Sequence, residues 1–290
     1  MILVTGASGN AGGMVLREVV KSGADVKAMY RSKEDAAKEP QGATPVIADF
    51  TDMQSLRDAL EGVDTVFVVC SPVRELVDLE SNMIDVCEES RVKHVVLNSA
   101  LGAADFPKSF PSWHRKVEDR LKASGVDYTI LRPNGFMQNI LAYFAPSIRA
   151  QGVFYQSVGN AKVSHIDLGD VAALAAQVLI APASYAGKTY ELNGPDALTY
   201  AEIADKISSV TGRKVQYVDI PPSAQRRALA DMGMPDWQIT ALLDLQEYYA
   251  SGKASRVDDT VGSIIGRSET KMDEFLTEFA DKFNEQAATA

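Results

Sequence analysis

Ile2-Leu3-Val4-Thr5 runs directly into Gly6-Ala7-Ser8-Gly9-Asn10-Ala11-Gly12, glycines at a three-residue spacing that lead into an amphipathic stretch. Few folds deliver a strand through such a turn into a helix, and each glycine has a mechanical reason to be there. Gly6 allows the tight turn, Gly9 lets the backbone approach a pyrophosphate, and Gly12 permits close helix-to-strand packing. Free N–H groups at the helix start, around Ser8, Asn10 and Ala11, receive the anion. The competing reading is a glycine-rich turn with no ligand, and the strand–turn–helix context weighs against it.

The rest of the first half keeps this rhythm. Short β-branched runs predict strands at 2–5, 26–30, 45–48, 65–70, 94–99 and 128–132, separated by helix-period segments at 12–22, 53–60, 76–90 and 112–124. Such alternation specifies right-handed βαβ units on a doubly wound parallel sheet, an α/β fold. Gly23, Gly62 and Gly125 each follow a predicted helix, where a left-handed residue closes the last turn. Past Arg132, Pro133 and Gly135 break the pattern and longer helices dominate. The expected organisation is therefore a dinucleotide-binding domain over 1–155 and a smaller α/β substrate region over 156–290. In that region Thr199-Tyr200-Ala201-Glu202 is a capping box, 215–220 alternates as a strand, and 270–286 reads as an amphipathic helix before a frayed tail at Ala287–Ala290. His165 and Asp170 read as structural: a strand crossing between regions, then the cap of a helix over 171–179.

Composition narrows the partners. The 29 Lys and Arg stand against 39 Asp and Glu, a net charge of −10 that repels polyphosphate, so nucleic acid is not expected. Cys70 and Cys87 show neither disulfide nor metal-ligand spacing, which fits a reducing, cytoplasmic setting with no metal. The N-terminus reads as a strand start rather than a signal peptide, and the longest apolar run, 171–183, is shorter than the roughly 20 residues of a membrane span.

The second predicted strand ends at Arg31, where NAD-binding chains place an acid against the ribose hydroxyls. A guanidinium instead neutralises a 2′-phosphate and stacks on adenine, which points to NADP(H); the alternative is a solvated arginine beside Ser32 and Lys33. Asp49-Phe50 follows the third strand, where the carboxylate accepts from the adenine amino group and the ring flanks the base, or where Asp49 or Asp52 caps a helix. Ser71, after the fourth strand, and Pro133 and Asn134, after the sixth, complete the expected cofactor contacts.

Thr5 to Gly12, Asp49-Phe50-Thr51-Asp52, Asn98-Ser99-Ala100 and Thr129-Ile130-Leu131-Arg132-Pro133-Asn134 together resemble the NmrA-like branch of the atypical short-chain dehydrogenases. The resemblance implies a Rossmann domain, NADP(H) and a C-terminal substrate region, and the branch holds quinone and dye reductases as well as a redox-sensing regulator. Short-chain dehydrogenases carry Tyr-x-x-x-Lys with a glutamate four residues after the lysine. Anchoring on Glu118 puts Phe110 in the tyrosine slot and His114 in the lysine slot, and Lys116 lies about 200° around the helix from His114's face.

Without that tyrosine, reduction of a simple ketone lacks its acid. Quinones and cationic dyes need orientation more than protonation, so a conjugated, electron-poor aromatic acceptor is the expected substrate. His114, whose cationic form Glu118 would favour, and Ser99, facing the crevice, are the candidate catalytic residues; the alternatives are a surface His114–Glu118 pair and a Ser99 that is merely small. Phe110, Trp113, Phe136, Met137 and Tyr143, with Phe106 and Phe144, are candidate walls for a flat substrate, with core packing expected for at least half of them. A monomer or homodimer is expected. The competing reading is an NADP sensor without turnover.

Overall fold

The computed structural model describes residues 1–37 and 42–284; the expected frayed tail at 287–290 lies outside them. The chain forms two compact units. One comprises Met1–Pro133, Leu168–Leu192 and Ser263–Gly266, the other Asn134–Asp167, Asn193–Gly262 and the chain from Arg267. Packing thus groups the residues differently from a single cut between 155 and 156.

The first unit opens with β1 (Ile2–Val4), α1 (Asn10–Lys21), β2 (Val26–Tyr30), α2 (Lys33–Ala36), β3 (Thr44–Ile47) and α3 (Met53–Ala59). It continues with β4 (Thr65–Val68), α4 (Leu76–Glu89), β5 (His94–Asn98), α5 (Ser109–Ala123) and β6 (Asp127–Pro133). In the second unit follow α6 (Gln138–Tyr143), α7 (Ala145–Gln151) and β7 (Val153–Gln156), before the chain returns to the first with α8 (Leu168–Ile180) and β8 (Lys188–Leu192). The remaining elements are α9 (Tyr200–Thr211), β9 (Gln216–Asp219), α10 (Pro222–Asp231), α11 (Asp236–Ala250), α12 (Thr260–Ile265) and α13 (Met272–Glu278).

All seven strands of the first unit run parallel in the order β3-β2-β1-β4-β5-β6-β8. This is the doubly wound Rossmann arrangement, with the order reversing between β1 and β4 and a crevice opening at the carboxyl ends there. The six expected strands are present, and β8 adds a seventh on β6, in register from Thr129↔Lys188 to Pro133↔Leu192. Lys188-Thr189-Tyr190-Glu191 is polar and only half-buried at the sheet edge, so nothing in its pattern separates it from a loop. The apolar helix expected in the second region is α8; it starts at Leu168 and lies along α1, where small residues on both, Ala172, Ala175, Gly12 and Gly13, are buried. Asp170, expected as its cap, is buried in its first turn, and the strand expected before it reduces to isolated bridges, Val163↔Leu198 and Phe136↔Ile166.

One apolar cluster joins strand residues Leu3, Val66, Val68, Val95, Leu97 and Ile130 to Leu56, Met83, Ile84, Val117 and Leu121 of α3, α4 and α5. Each such side chain contributes roughly 1.5–3 kcal/mol of transfer free energy, which fixes these helices on one sheet face. Gly23, Gly62 and Gly125 end their helices at positive φ as expected.

In the second unit β7 and β9 pair in parallel, from Val153↔Gln216 to Gln156↔Asp219. Phe144 and Phe154 stack at 4.6 Å, with Tyr200 edge-on to Phe144 at 5.7 Å. The Thr199/Glu202 capping box forms and α9 closes at Gly212. The C-terminal helix is shorter than its pattern: Phe279 leaves helical geometry at φ −107°, ψ 21°, and Ala280–Phe283 is a 3-10 turn. Among the described residues no helix is long and apolar enough to cross a membrane.

Candidate active site

The glycine turn is held from below by Thr5, whose hydroxyl accepts from the Val69 N–H at 2.9 Å and donates to the Val69 carbonyl at 3.0 Å. Gly6 sits at φ 60°, where a Cβ would meet Val69 Cγ1 at 3.0 Å, so the sharp exit from β1 demands glycine. A Cβ on Gly12 would overlap the carbonyl oxygens of Gly6 and Thr5, as expected of the close-packing position. Gly9 is different. Its N–H closes the turn onto Gly6 O at 2.9 Å, and a Cβ there would meet only that oxygen, at 3.2 Å. The backbone N–H groups of Asn10, Ala11 and Gly12 find no acceptor among the described residues, and the first turn of α1 carries neither an acidic residue nor a side-chain cap. Orphan donors at the positive end of a twelve-residue helix are what an anion requires.

Arg31, at the end of β2, is exposed and forms no ion pair among the described residues, though its charge reaches Asp49. Asp49 accepts from the Thr51 hydroxyl at 2.6 Å and the Thr51 N–H at 2.8 Å, both through Oδ1. Those bonds hold its carboxyl below the ordinary value, with Arg31 adding to the effect. Oδ2 stays uncommitted. Capping of α3 falls to Asp52, which accepts from Gln54 and Ser55, so that part of the alternative reading belongs to Asp52 alone. Phe50 is a correction: it is buried in the apolar cluster and presents little ring surface to a base. Ser71 is exposed just after β4. Glu80, which sequence reasoning does not single out, lies beside the neighbouring Cys70. This α4 carboxyl is fully buried, accepts from the Cys70 N–H at 3.0 Å through Oε1, and leaves Oε2 without a partner. Burial pushes it up to about 8, and burial with the nearby Glu80 pushes the Cys70 thiol up to about 12, so that thiol is unreactive.

Glu118 organises α5. Its carboxylate is fully buried and receives Arg132 Nε at 2.8 Å, Arg132 Nη2 at 2.6 Å and the Ser99 hydroxyl at 2.7 Å, with Lys122 at 3.3 Å. Burial opposes its charge, yet the bonds from Arg132 and Ser99 outweigh burial and hold the carboxyl below its usual range. Two expectations change in consequence. Ser99 gives its only proton to Glu118 and keeps none for a substrate. His114 does not share that carboxylate: burial pulls it down to about 4 despite Glu118, so it is a neutral imidazole rather than a cation, and its Nδ1 is buried without a partner. Helix α5 starts at Ser109, so Phe110 stands in the first turn, edge-on to Trp113 at 5.1 Å, and Trp113 also packs on the apolar cluster.

In the second unit Asn134 is fully committed: Nδ2 donates to Asn193 at 3.2 Å and to the Ala254 carbonyl at 2.9 Å, while Oδ1 accepts from Gly135. Pro133, the last residue of β6, is buried. Met137 is completely buried and joins the core rather than a substrate wall. Phe136 is half-buried, and Tyr143 is 58% exposed on α6.

The NmrA-like family profile matches residues 1–276. An NAD(P)H azoreductase from Xenophilus azovorans is 35% identical over 288 residues, 98% of this chain and 99% of its own. Quinone oxidoreductase 2 of Escherichia coli (strain K12) is 31% identical over 281 residues, 96% of this chain and 98% of its own. An Escherichia coli NADPH-dependent quinone oxidoreductase solved with NADPH superposes with a TM-score of 0.89 at 30% identity, covering 96% of this chain and 99% of that one. Citrobacter sp. triphenylmethane reductase complexed with NADP(H) shares the fold, with a TM-score of 0.87 at 23% identity over 97% of this chain and 100% of that one. Matched by the family profile over nearly its whole length, and by relatives along almost their full length, the chain belongs to the NmrA-like family.

Proposed function

We propose that this protein is an NADPH-dependent oxidoreductase that transfers a hydride to a conjugated, electron-poor acceptor such as a quinone or dye. The observation that carries the reading is the cradle after β1: three uncommitted N–H groups, Asn10 to Gly12, at a helix start where Gly6 and Gly12 leave no room for a side chain. A dinucleotide fits it. Asn10, Ala11 and Gly12 would hold the pyrophosphate, the exposed Arg31 guanidinium the 2′-phosphate, and Asp49 Oδ2 the adenine amino group. When bound, the nicotinamide supplies the hydride. Ser71, Pro133 and the backbone of Asn134 complete the proposed contacts, since the Asn134 side chain has no donor to spare.

On this reading His114 is the acceptor- or ribose-facing residue of α5, offering a neutral imidazole hydrogen bond. Ser99 becomes a positioning residue that acts through Glu118. Phe110, Trp113, Phe136 and Tyr143 remain the proposed aromatic contacts. The neutral imidazole suits acceptors that need orientation, because a group held at about 4 is unprotonated at pH 7 and is no proton reservoir. The azoreductase and quinone oxidoreductase relatives support this acceptor class. A cytoplasmic location and a monomeric or homodimeric state belong to the same proposal.

The test is NADPH oxidation followed at 340 nm with quinones, azo dyes and cationic dyes against simple ketones. Turnover of the conjugated acceptors with none of the ketones is expected. Tight NADPH binding with no turnover of any acceptor would instead select the sensor reading.

A further inference from the structure

For a quinone-type acceptor the reductase reading favours a hydrogen-bond donor at the acceptor's oxygen, since hydride addition to a quinone moves an electron pair onto that atom. Solvent protonates it afterwards. In the second unit the obvious donor, Asn134, is spent on Asn193 and Ala254. One residue that the sequence did not single out is not spent. Tyr249, in the last turn of α11, is 8% exposed, and its hydroxyl makes no hydrogen bond with any described residue.

Its position explains Gly135. A Cβ on Gly135 would meet the Tyr249 hydroxyl at 2.6 Å and His165 Cδ2 at 3.1 Å, so the hydroxyl lies directly over the backbone beside Phe136, the proposed aromatic contact. That backbone is pinned. The Gly135 N–H donates to Asn134 and its carbonyl accepts from Ile166 at 3.0 Å. The tyrosine ring is pinned as well. It meets His165 edge-on at 6.4 Å, and His165 Nε2 lies 3.3 Å from the Tyr200 hydroxyl. Just past the end of α11, the Ala254 carbonyl accepts from Asn134 and from the N–H and hydroxyl of Ser164. A buried donor held over hydrogen-bonded glycine backbone is preorganised, the condition under which it stabilises developing charge.

We infer that the Tyr249 hydroxyl donates a hydrogen bond to the carbonyl oxygen of a quinone-type acceptor seated at Gly135 and Phe136. The inference rests on the reductase reading. Burial keeps the phenol well above its ordinary value, so it remains a donor throughout the working pH range.

Two acceptors separate this role from a structural one: 1,4-naphthoquinone, which has the oxygen, and crystal violet, a cationic dye that has none. Tyr249→Phe retains the ring and its packing. It should lower kcat/KM for 1,4-naphthoquinone roughly 10- to 100-fold and change that for crystal violet by less than about twofold. With NADP+ present to prevent turnover, its calorimetric affinity for 1,4-naphthoquinone should fall by roughly 3- to 10-fold, with NADP+ affinity unaltered. Equal losses on both acceptors, or an unchanged naphthoquinone affinity, would overturn the assignment. If the intact protein reduced neither acceptor, the reductase reading would fail and the binding comparison alone would decide: weaker binding by the variant supports the Tyr249 contact, while equal or absent binding overturns it.

Discussion

Glu80 shows how one side chain ties stability to pH. It is held up to about 8, so between the ordinary carboxylate value of 4.5 and pH 8 the folded chain keeps a proton that the unfolded chain releases. More protons bound in the folded state means that stability falls as pH rises through that window. Half-buried His114 and buried His165, both pulled down to about 4 from 6.5, act in the opposite sense: between pH 4 and 6.5 the unfolded chain binds the extra protons, so their contribution is present above pH 6.5 and lost on acidification. Glu80→Gln keeps the acceptor for the Cys70 N–H and removes the titration. Its melting temperature, followed by circular dichroism, should exceed that of the parent by a few degrees at pH 8.5 and match it at pH 5. Parallel curves would mean that Glu80 is ionised in the fold at both values. Nothing in Leu76-Val77-Asp78-Leu79-Glu80 marks this residue, because an acid on a helix is read as solvated until the helix face is known. The roles of Gly6 and Gly12 were legible, since a missing Cβ is itself the signal. The states of Ser99 and His114 were not, because both depend on which partner Glu118 chooses, and Arg132 comes from a different element.

At the scale of elements, α5 is fastened to β6 by that choice. The Glu118–Arg132 pair is buried and bidentate, so removing one partner leaves a charge without compensation. Arg132→Met should cost about 3–5 kcal/mol of unfolding free energy at pH 7 in urea titrations. The deficit should shrink as pH falls toward 4, because the abandoned carboxyl then protonates, and the Glu118→Gln/Arg132→Met double variant should recover part of it at pH 7. A loss below about 1 kcal/mol would mean that Lys122 and Ser99 suffice to hold Glu118, as for an exposed pair. Strand and helix order through β6 was readable because apolar period and glycine punctuation agree there. Edge strand β8 was not, since its exposure removes the apolar pattern, and α8 carries a core-like composition that identifies burial without saying against which sheet.

For the whole molecule the discontinuous units matter. Leaving the sheet after Pro133 and returning at Leu168 lets one chain complete a seven-stranded sheet and also build the unit that carries Gly135, Phe136 and Tyr249. Such an excursion leaves only a change of rhythm in the sequence, which is why a single cut near residue 155 was the natural expectation. Calorimetric titration of the intact protein and of Gly9→Val with NADPH and NADH tests whether the turn after β1 is a cradle for NADPH. A Cβ added at Gly9 would meet only Gly6 O, at 3.2 Å, a contact that a shift of a few tenths of an ångström relieves, so the variant should keep the parent's circular dichroism spectrum. NADPH should bind the parent at least about tenfold more tightly than NADH, through Arg31, and neither should bind the folded variant detectably. Parent-like NADPH affinity in a folded Gly9→Val protein would contradict it.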